Sequence, residues 1–315
     1  MPAFAYLERI DQIMDILNWL GALPGACAQG MIWGIMAIGV YITYRILDIA
    51  DLTVDGSICT GAATCAILVT NGVNVWLAML AAIIVGMLTG LVTGLLHTYL
   101  GIPAILAGIL TQLMLWSVNL KIMGKANLAI PVRKYDLVVA QMESVQSIVV
   151  LLIIISVLIA LLYWFFGTEL GMSLRSTGNN LNMSRAQGIN TDFTKILGLV
   201  LSNGIVAFAG ALLAQYQGFA DINMGRGSIV VGLAAVIIGE VVVSAISKNF
   251  AVRLAGVVIG GIIYYFVYQT VIFLGIDADL LKMLSALVVA VFLGFPYIKK
   301  THFSKKKVKG ASKNA

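Results

Sequence analysis

Charge is what this 315-residue sequence lacks most: only 11% of its residues are Asp, Glu, Lys or Arg, against roughly 25% in an average soluble domain. From Gly56 to Leu120 there is none at all. At roughly 20 apolar residues per bilayer crossing, that stretch alone holds three spans, and no soluble fold accounts for it. Histidine is limited to His97 and His302, far apart in sequence. No paired His/Asp/Glu cluster and no nucleophile motif accompanies them, which disfavours an integral membrane enzyme. The three cysteines, Cys27, Cys59 and Cys65, all lie in apolar segments, so they read as small packing residues rather than a disulfide framework or a metal site. A phosphate loop is missing too, since Gly124-Lys125 is followed by Ala126 without the earlier glycine. The N-terminus has neither the basic start nor the cleavage site of a signal peptide.

What is present is apolar helix. Hydrophobic residues make up 60% of the chain, and runs bounded by turn residues or charge predict spans at 24–47, 54–70, 74–96, 101–122, 147–167, 195–216, 228–246, 252–274 and 280–298. The expected fold is an all-α polytopic membrane protein of about nine transmembrane or broken helices. Its transmembrane domain is 24–298, with halves at about 24–167 and 195–298. Before it, Leu7, Ile10, Met14 and Leu17 recur at helical spacing, so 1–23 reads either as an amphipathic helix at the interface or as an extension of the first span. After it comes a basic tail, 299–315. Lys299, Lys300, Lys305, Lys306, Lys307, Lys309 and Lys313 account for the net charge of +6, since without them 13 basic residues face 14 acidic ones. That surplus suits the anionic inner face of a membrane and argues against nucleic acid. With the tail inside, loops 168–194 and 247–251 also fall inside and the N-terminus outside, dividing Lys and Arg 13 to 7. Loop 121–146, with four basic residues, falls outside against the trend.

Two segments resemble each other. Ile49-Ala-Asp-Leu-Thr-Val-Asp-Gly-Ser-Ile58 and Phe219-Ala-Asp-Ile-Asn-Met-Gly-Arg-Gly-Ser-Ile229 align with one inserted residue. Five spans separate them, so they point in opposite directions across the bilayer as an inverted repeat. Gly and Ser at such breaks free backbone groups that lipid cannot satisfy, and broken helices are tolerated only where buried in protein or lining a cavity. Asp51, Thr53, Asp55, Ser57, Asp221, Asn223 and Ser228 are therefore expected either to line a substrate route or simply to cap helices. Glu240, the one acid well inside an apolar run, is a further candidate for the route, or a partner for a basic residue on a neighbouring helix. Asn203, Ser202 and Gln215 either face the route or hydrogen-bond between helices, and Gly86, Gly90 and Gly94 form a ridge for close helix packing. In loop 168–194, Met183–Gln187 predicts a short helix stopped by Gly188, with Asn190 or Thr191 capping the next one.

Arg185-Ala-Gln-Gly-Ile-Asn-Thr-Asp192, continuing through Ala209-Gly210 and Gln215 to Gly218, resembles the cytoplasmic coupling segment of branched-chain amino-acid and ribose-type ABC importer permeases. Asp51-Leu-Thr-Val-Asp-Gly-Ser57 is similar to the Asp-Leu-Ser-Val-Gly-Ser motif of the sugar members, with Asp55 extra. The longer strings 44–57 and 232–240 look like the subgroup proposed to import tryptophan and tyrosine. The resemblance implies a homodimeric permease in a bacterial cytoplasmic membrane, its C-terminus cytoplasmic, with two cytoplasmic ATPase subunits holding ATP and Mg and an extracytoplasmic substrate-binding protein. It also implies that residues 175–192 contact the ATPase, among them Arg175, Arg185, Ala186, Gln187, Gly188, Ile189 and Asn190, and that loop 121–146 receives the binding protein. No cofactor or metal is expected in this chain. An ion-coupled secondary transporter or a channel also suits inverted repeats, although such carriers usually need more intramembrane ionisable groups than this chain offers.

Overall fold

The structure, a computed structural model, describes residues 2–243 and 249–274 together with 280, 283, 286, 287, 290, 291 and 294, with side chains from residue 19 onward. The amphipathic face expected within 4–20, most of the last expected span and the basic tail therefore lie outside the described side chains or residues. Among the described residues, ten α-helices occur in the order α1 (Pro2–Tyr41), α2 (Val54–Thr70), α3 (Val75–Thr98), α4 (Ala104–Met123), α5 (Ser144–Phe165), α6 (Glu169–Asn179), α7 (Leu181–Ala186), α8 (Thr191–Gln217), α9 (Ser228–Val243) and α10 (Phe250–Phe273). β1 (Asn127–Ala129) pairs antiparallel with β2 (Phe219–Asp221), Leu128 opposite Ala220, a small ribbon and the only strands among the described residues. Helix α1 runs unbroken from Pro2 into the first span.

Among the described residues, six segments are long and apolar enough to cross a membrane: Trp19–Ile46, Val75–Thr98, Ala104–Met123, Gln141–Phe165, Thr191–Gln217 and Phe250–Phe273. Helices α2 and α9 are shorter apolar helices, in place of the full spans expected at 54–70 and 228–246.

Helix α8 is the axis of the bundle, its second half buried almost all round. Small residues let its neighbours approach backbone to backbone. A Cβ on Gly86 would strike Ala207, one on Gly90 would strike Leu199 O, and one on Gly94 would meet Ile196, so the predicted glycine ridge packs α3 antiparallel against α8. Gly25 and Gly39 of α1 lie against Tyr216 and Val206, again antiparallel. By contrast Ser57, Gly61 and Cys65 of α2 meet Asn203, Ala207 and Gln215, so α2 runs parallel to α8 and begins near that helix's midpoint.

The start of α2 is reached by a re-entrant segment. Helix α1 ends in a π-helical turn, Ile42–Ile46, after which Asp48 adopts φ 55° and the chain turns back inward. Helix α9 runs parallel to α1 and so opposite to α2, Gly232 against Met36 and Val40, and Glu240 against Arg45. α2 and α9 are thus antiparallel half-helices, and each opens from one copy of the internal repeat.

Candidate functional site

The first copy of the repeat is held in a closed polar network. Asp51 Oδ1 accepts the Thr53 amide at 2.9 Å and its Oδ2 accepts Asn203 Nδ2 at 2.7 Å. Asn203 Oδ1 accepts the Ser57 hydroxyl at 2.6 Å, which lies 2.7 Å from Thr89 Oγ1. Thr53 Oγ1 meets Thr93 Oγ1 at 2.7 Å, and Thr93 donates to Thr111 at 2.9 Å. All of these side chains are buried. Lipid offers the broken segment no partner, so the Thr53 amide is met by Asp51 itself and the polar side chains of residues 51–57 by those of α3 and α8, with Thr111 of α4 behind Thr93. Asp51, Thr53, Ser57 and Asn203 thus sit together as interhelical ties, each hydrogen-bonded within the network.

The second copy repeats the local turn. Asp221 Oδ1 accepts the Asn223 amide at 2.7 Å, as Asp51 does for Thr53 two residues on. Asp221 also accepts Asn127 Nδ2 at 3.3 Å across the ribbon, and Asn223 is exposed. The segment then descends to the start of α2. There Asp55 caps a helix that is not its own: its Oδ1 accepts the Ser228 hydroxyl at 2.7 Å and the Ile229 amide at 2.9 Å, and its Oδ2 accepts the Gly227 amide at 3.0 Å. A carboxylate at this helix N-terminus meets both the orphan donors and the positive end of the α9 dipole. Cys59 Sγ accepts the Gly225 amide at 3.1 Å beside it. The residue that departs from the sugar-type motif thus joins the two repeats.

Helix α6 is capped by Thr168, whose oxygen accepts the Gly171 amide, and α7 by Asn180, whose Oδ1 accepts the Met183 amide at 3.0 Å. Gly188, at φ 81°, reverses the chain where a side chain would be strained, and Asn190 Oδ1 caps α8 through the Asp192 and Phe193 amides. The hairpin is bound to the spans. Arg185 Nε donates to Thr191 Oγ1 at 2.9 Å and its guanidinium stands 3.6 Å from Asp192; Thr177 meets Thr194 at 2.9 Å; and a Cβ on Gly178 would strike Ile46 O. Arg175 lies over the rings of Phe166 and Phe250, 5.2 and 4.2 Å from their centroids, tying α6 to α5 and α10. Partial burial lowers its pKa. Together with Arg45 and Arg253 it lines a polar cleft of about 620 Å³ beside the hairpin.

The family model for the permease component of branched-chain amino acid transport systems matches residues 24–293. The chain belongs to that family. The permease is 41% identical over 275 residues, 87% of its own length and 91% of the relative's, to a tyrosine transport system permease protein of Clostridioides difficile (strain R20291). It is 35% identical over 276 residues, 87% and 97% of the two chains, to an uncharacterised protein of Rickettsia prowazekii (strain Madrid E). An autoinducer 2 import system permease protein, LsrC, of Yersinia enterocolitica is 28% identical over 246 residues, 76% of this chain and 66% of that one. No solved structure matches. The protein is thus the permease component of an ABC-type transport system and a multi-pass membrane protein.

Other expected pathway residues of the permease fall elsewhere. Gln215 is buried and ties three elements, its Oε1 accepting the Val138 amide at 3.1 Å and its Nε2 reaching Ala211 O and Cys65 Sγ. Ser202 donates to Gly39 O across helices. Glu240 is paired with Arg45 at 2.8 Å where α1 ends, the helix contact that was the alternative to a place on the route. Helix α6 was missed because 168–194 reads as loop, although Thr168 followed by Leu170 and Leu174 carries a cap and one turn of apolar spacing. Asn119 was missed as well. It is the buried amide of the charge-free run, and its only signal is that isolation.

Proposed function

We propose that this permease is the membrane subunit of an ATP-driven importer of a small solute, an amino acid or related compound, aromatic as the name of its tyrosine-transport relative suggests. The observation that carries the reading is the α6–α7 hairpin, a capped, glycine-terminated projection fastened to α8, to α10 and to the end of α1. A partner moving the hairpin moves these spans with it. The cleft beside it, lined by Arg45, Arg175 and Arg253 with Asp48, keeps a net positive charge even with Arg45 paired to Glu240 and suits an acidic partner surface.

On this reading the hairpin faces the cytoplasm, and two ATPase subunits holding ATP and Mg dock on Arg185, Ala186, Gln187, Gly188, Ile189 and Asn190 of two permease copies. This chain performs no chemistry. The ribbon and loop 121–146 lie on the opposite face, where a binding protein delivers solute, and the C-terminus is inside the bacterial cell. Closure of the ATPase pair drives the hairpins, and the bundles open alternately to each side.

The test is Gly188→Val in the complete importer reconstituted in liposomes. A β-branched residue at φ 81° costs about 1–3 kcal/mol and misdirects α7. ATP hydrolysis should continue while uptake per ATP falls about tenfold, and unchanged coupling in Gly188→Val and Arg185→Ala together removes the docking assignment.

A further inference from the structure

Where the two half-helices meet, a cavity of about 170 Å³ is lined by Asp55, Gln112, Trp116, Asn119 and Arg226. It has room for several waters or a small polar group. Asn119 is only 1% exposed, yet its Oδ1 has no donor among the described residues, and a buried acceptor in that state calls for a partner the protein itself does not supply. Asp55 spends three of about four acceptor positions on the α9 N-terminus, which leaves one. Arg226 is exposed and forms no ion pair among the described residues. Acceptors and a cation therefore line one small cavity, with the Trp116 ring beside them.

We propose that this cavity binds the zwitterionic head of an α-amino acid in transit, the ammonium on Asp55, the carboxylate on Arg226 and Gln112, and an aromatic side chain along Trp116, with Asn119 in the wall. The inference rests on the transport reading above and gives it a recognition site within this chain. The Asp51–Asn203 network beside it has its donors and acceptors already matched, so it offers a solute no comparable valence. Asp55 is the hinge of the site: the carboxylate that holds α9 against α2 also faces the cavity, so a bound ammonium shares the group on which the junction depends.

The test is titration of the purified full-length chain in lipid nanodiscs with L-tyrosine, tyramine and 3-(4-hydroxyphenyl)propionate, which lack in turn the carboxylate and the ammonium. L-Tyrosine should bind saturably and each analogue about tenfold more weakly or worse. Asn119→Leu and Arg226→Gln should each weaken L-tyrosine about tenfold. Arg226→Gln should also erase the preference over tyramine, and Arg226→Lys should restore most of it, neither of which a purely structural role would produce. The exposed Arg226 variants keep the test decisive should Asn119→Leu fail to fold. Absence of saturable binding, equal binding of tyramine, or unchanged affinity in both variants would overturn the proposal and leave the cavity to water. The titration uses no ATP and no partner, so it can fail while ATP-driven uptake by the intact importer stands, and it can succeed where coupling fails.

Discussion

The two aspartates that open the repeats make the same turn in different surroundings, and their substitutions should behave differently. Asp51→Ala strands the Thr53 amide and one Asn203 proton in a site closed to water and lipid, at a cost of about 1–3 kcal/mol. Thermal unfolding in detergent should register it, and folded yield should fall in step with uptake. Asp221 lies at the ribbon, where its main partner is the amide of exposed Asn223. Water replaces it there, so Asp221→Ala should stay within about 0.5 kcal/mol of wild type. A larger loss of uptake than of folded protein in Asp51→Ala would give that residue a direct role in the route. The residue types at these positions were legible because Asp, Thr and Ser in an apolar stretch need partners. Their partners were not, because Thr89, Thr93 and Thr111 are unremarkable helix residues until three helices bring them together.

At the scale of elements, the bundle depends on helices whose backbones touch. Gly61 of α2 and Gly210 of α8 sit where a Cβ would strike Ala207 O and Ile58 O respectively. Neither obstacle is a flexible side chain that can swing away. Gly61→Leu or Gly210→Leu should force α2 off α8 and destabilise by about 3 kcal/mol or more, at the upper end of overpacking. Gly21→Ala, with open space around it, should leave the unfolding temperature unchanged. If Gly61→Leu is equally silent, the packing of α2 against α8 is not what holds the junction. The bounds of α2 to α5 and α8 to α10 were readable from apolar periodicity to within a few residues, and α2 coincides with the expected 54–70. Its standing as a half-helix was not, because a helix of 17 residues falls at the lower limit of a full span and only contact with Asn203 shows where it begins.

For the whole molecule, the described helices hold few ionisable groups, and Glu240 already has Arg45 as its partner. Ion coupling needs carboxylates free to load and release, so the purified chain in liposomes should show no L-tyrosine accumulation under a proton or sodium gradient. Accumulation should appear only with the ATPase subunits, the binding protein and ATP. Gradient-driven uptake by this chain alone would place it among secondary transporters, whatever its family resemblance.

From its amino-acid order alone the chain was bound to be a helical membrane protein with two antiparallel repeats, because long charge-free runs and helix-breaking Gly-Ser pairs act locally and need no partner to be read. Tertiary structure alone decided that the repeats meet, that Asp55 of one caps the helix of the other, and that Asp51 is sealed while Asn119 is left wanting. Hydrogen-bond satisfaction is a property of neighbours in space, and residues 173 positions apart in the chain become neighbours only when the bundle closes.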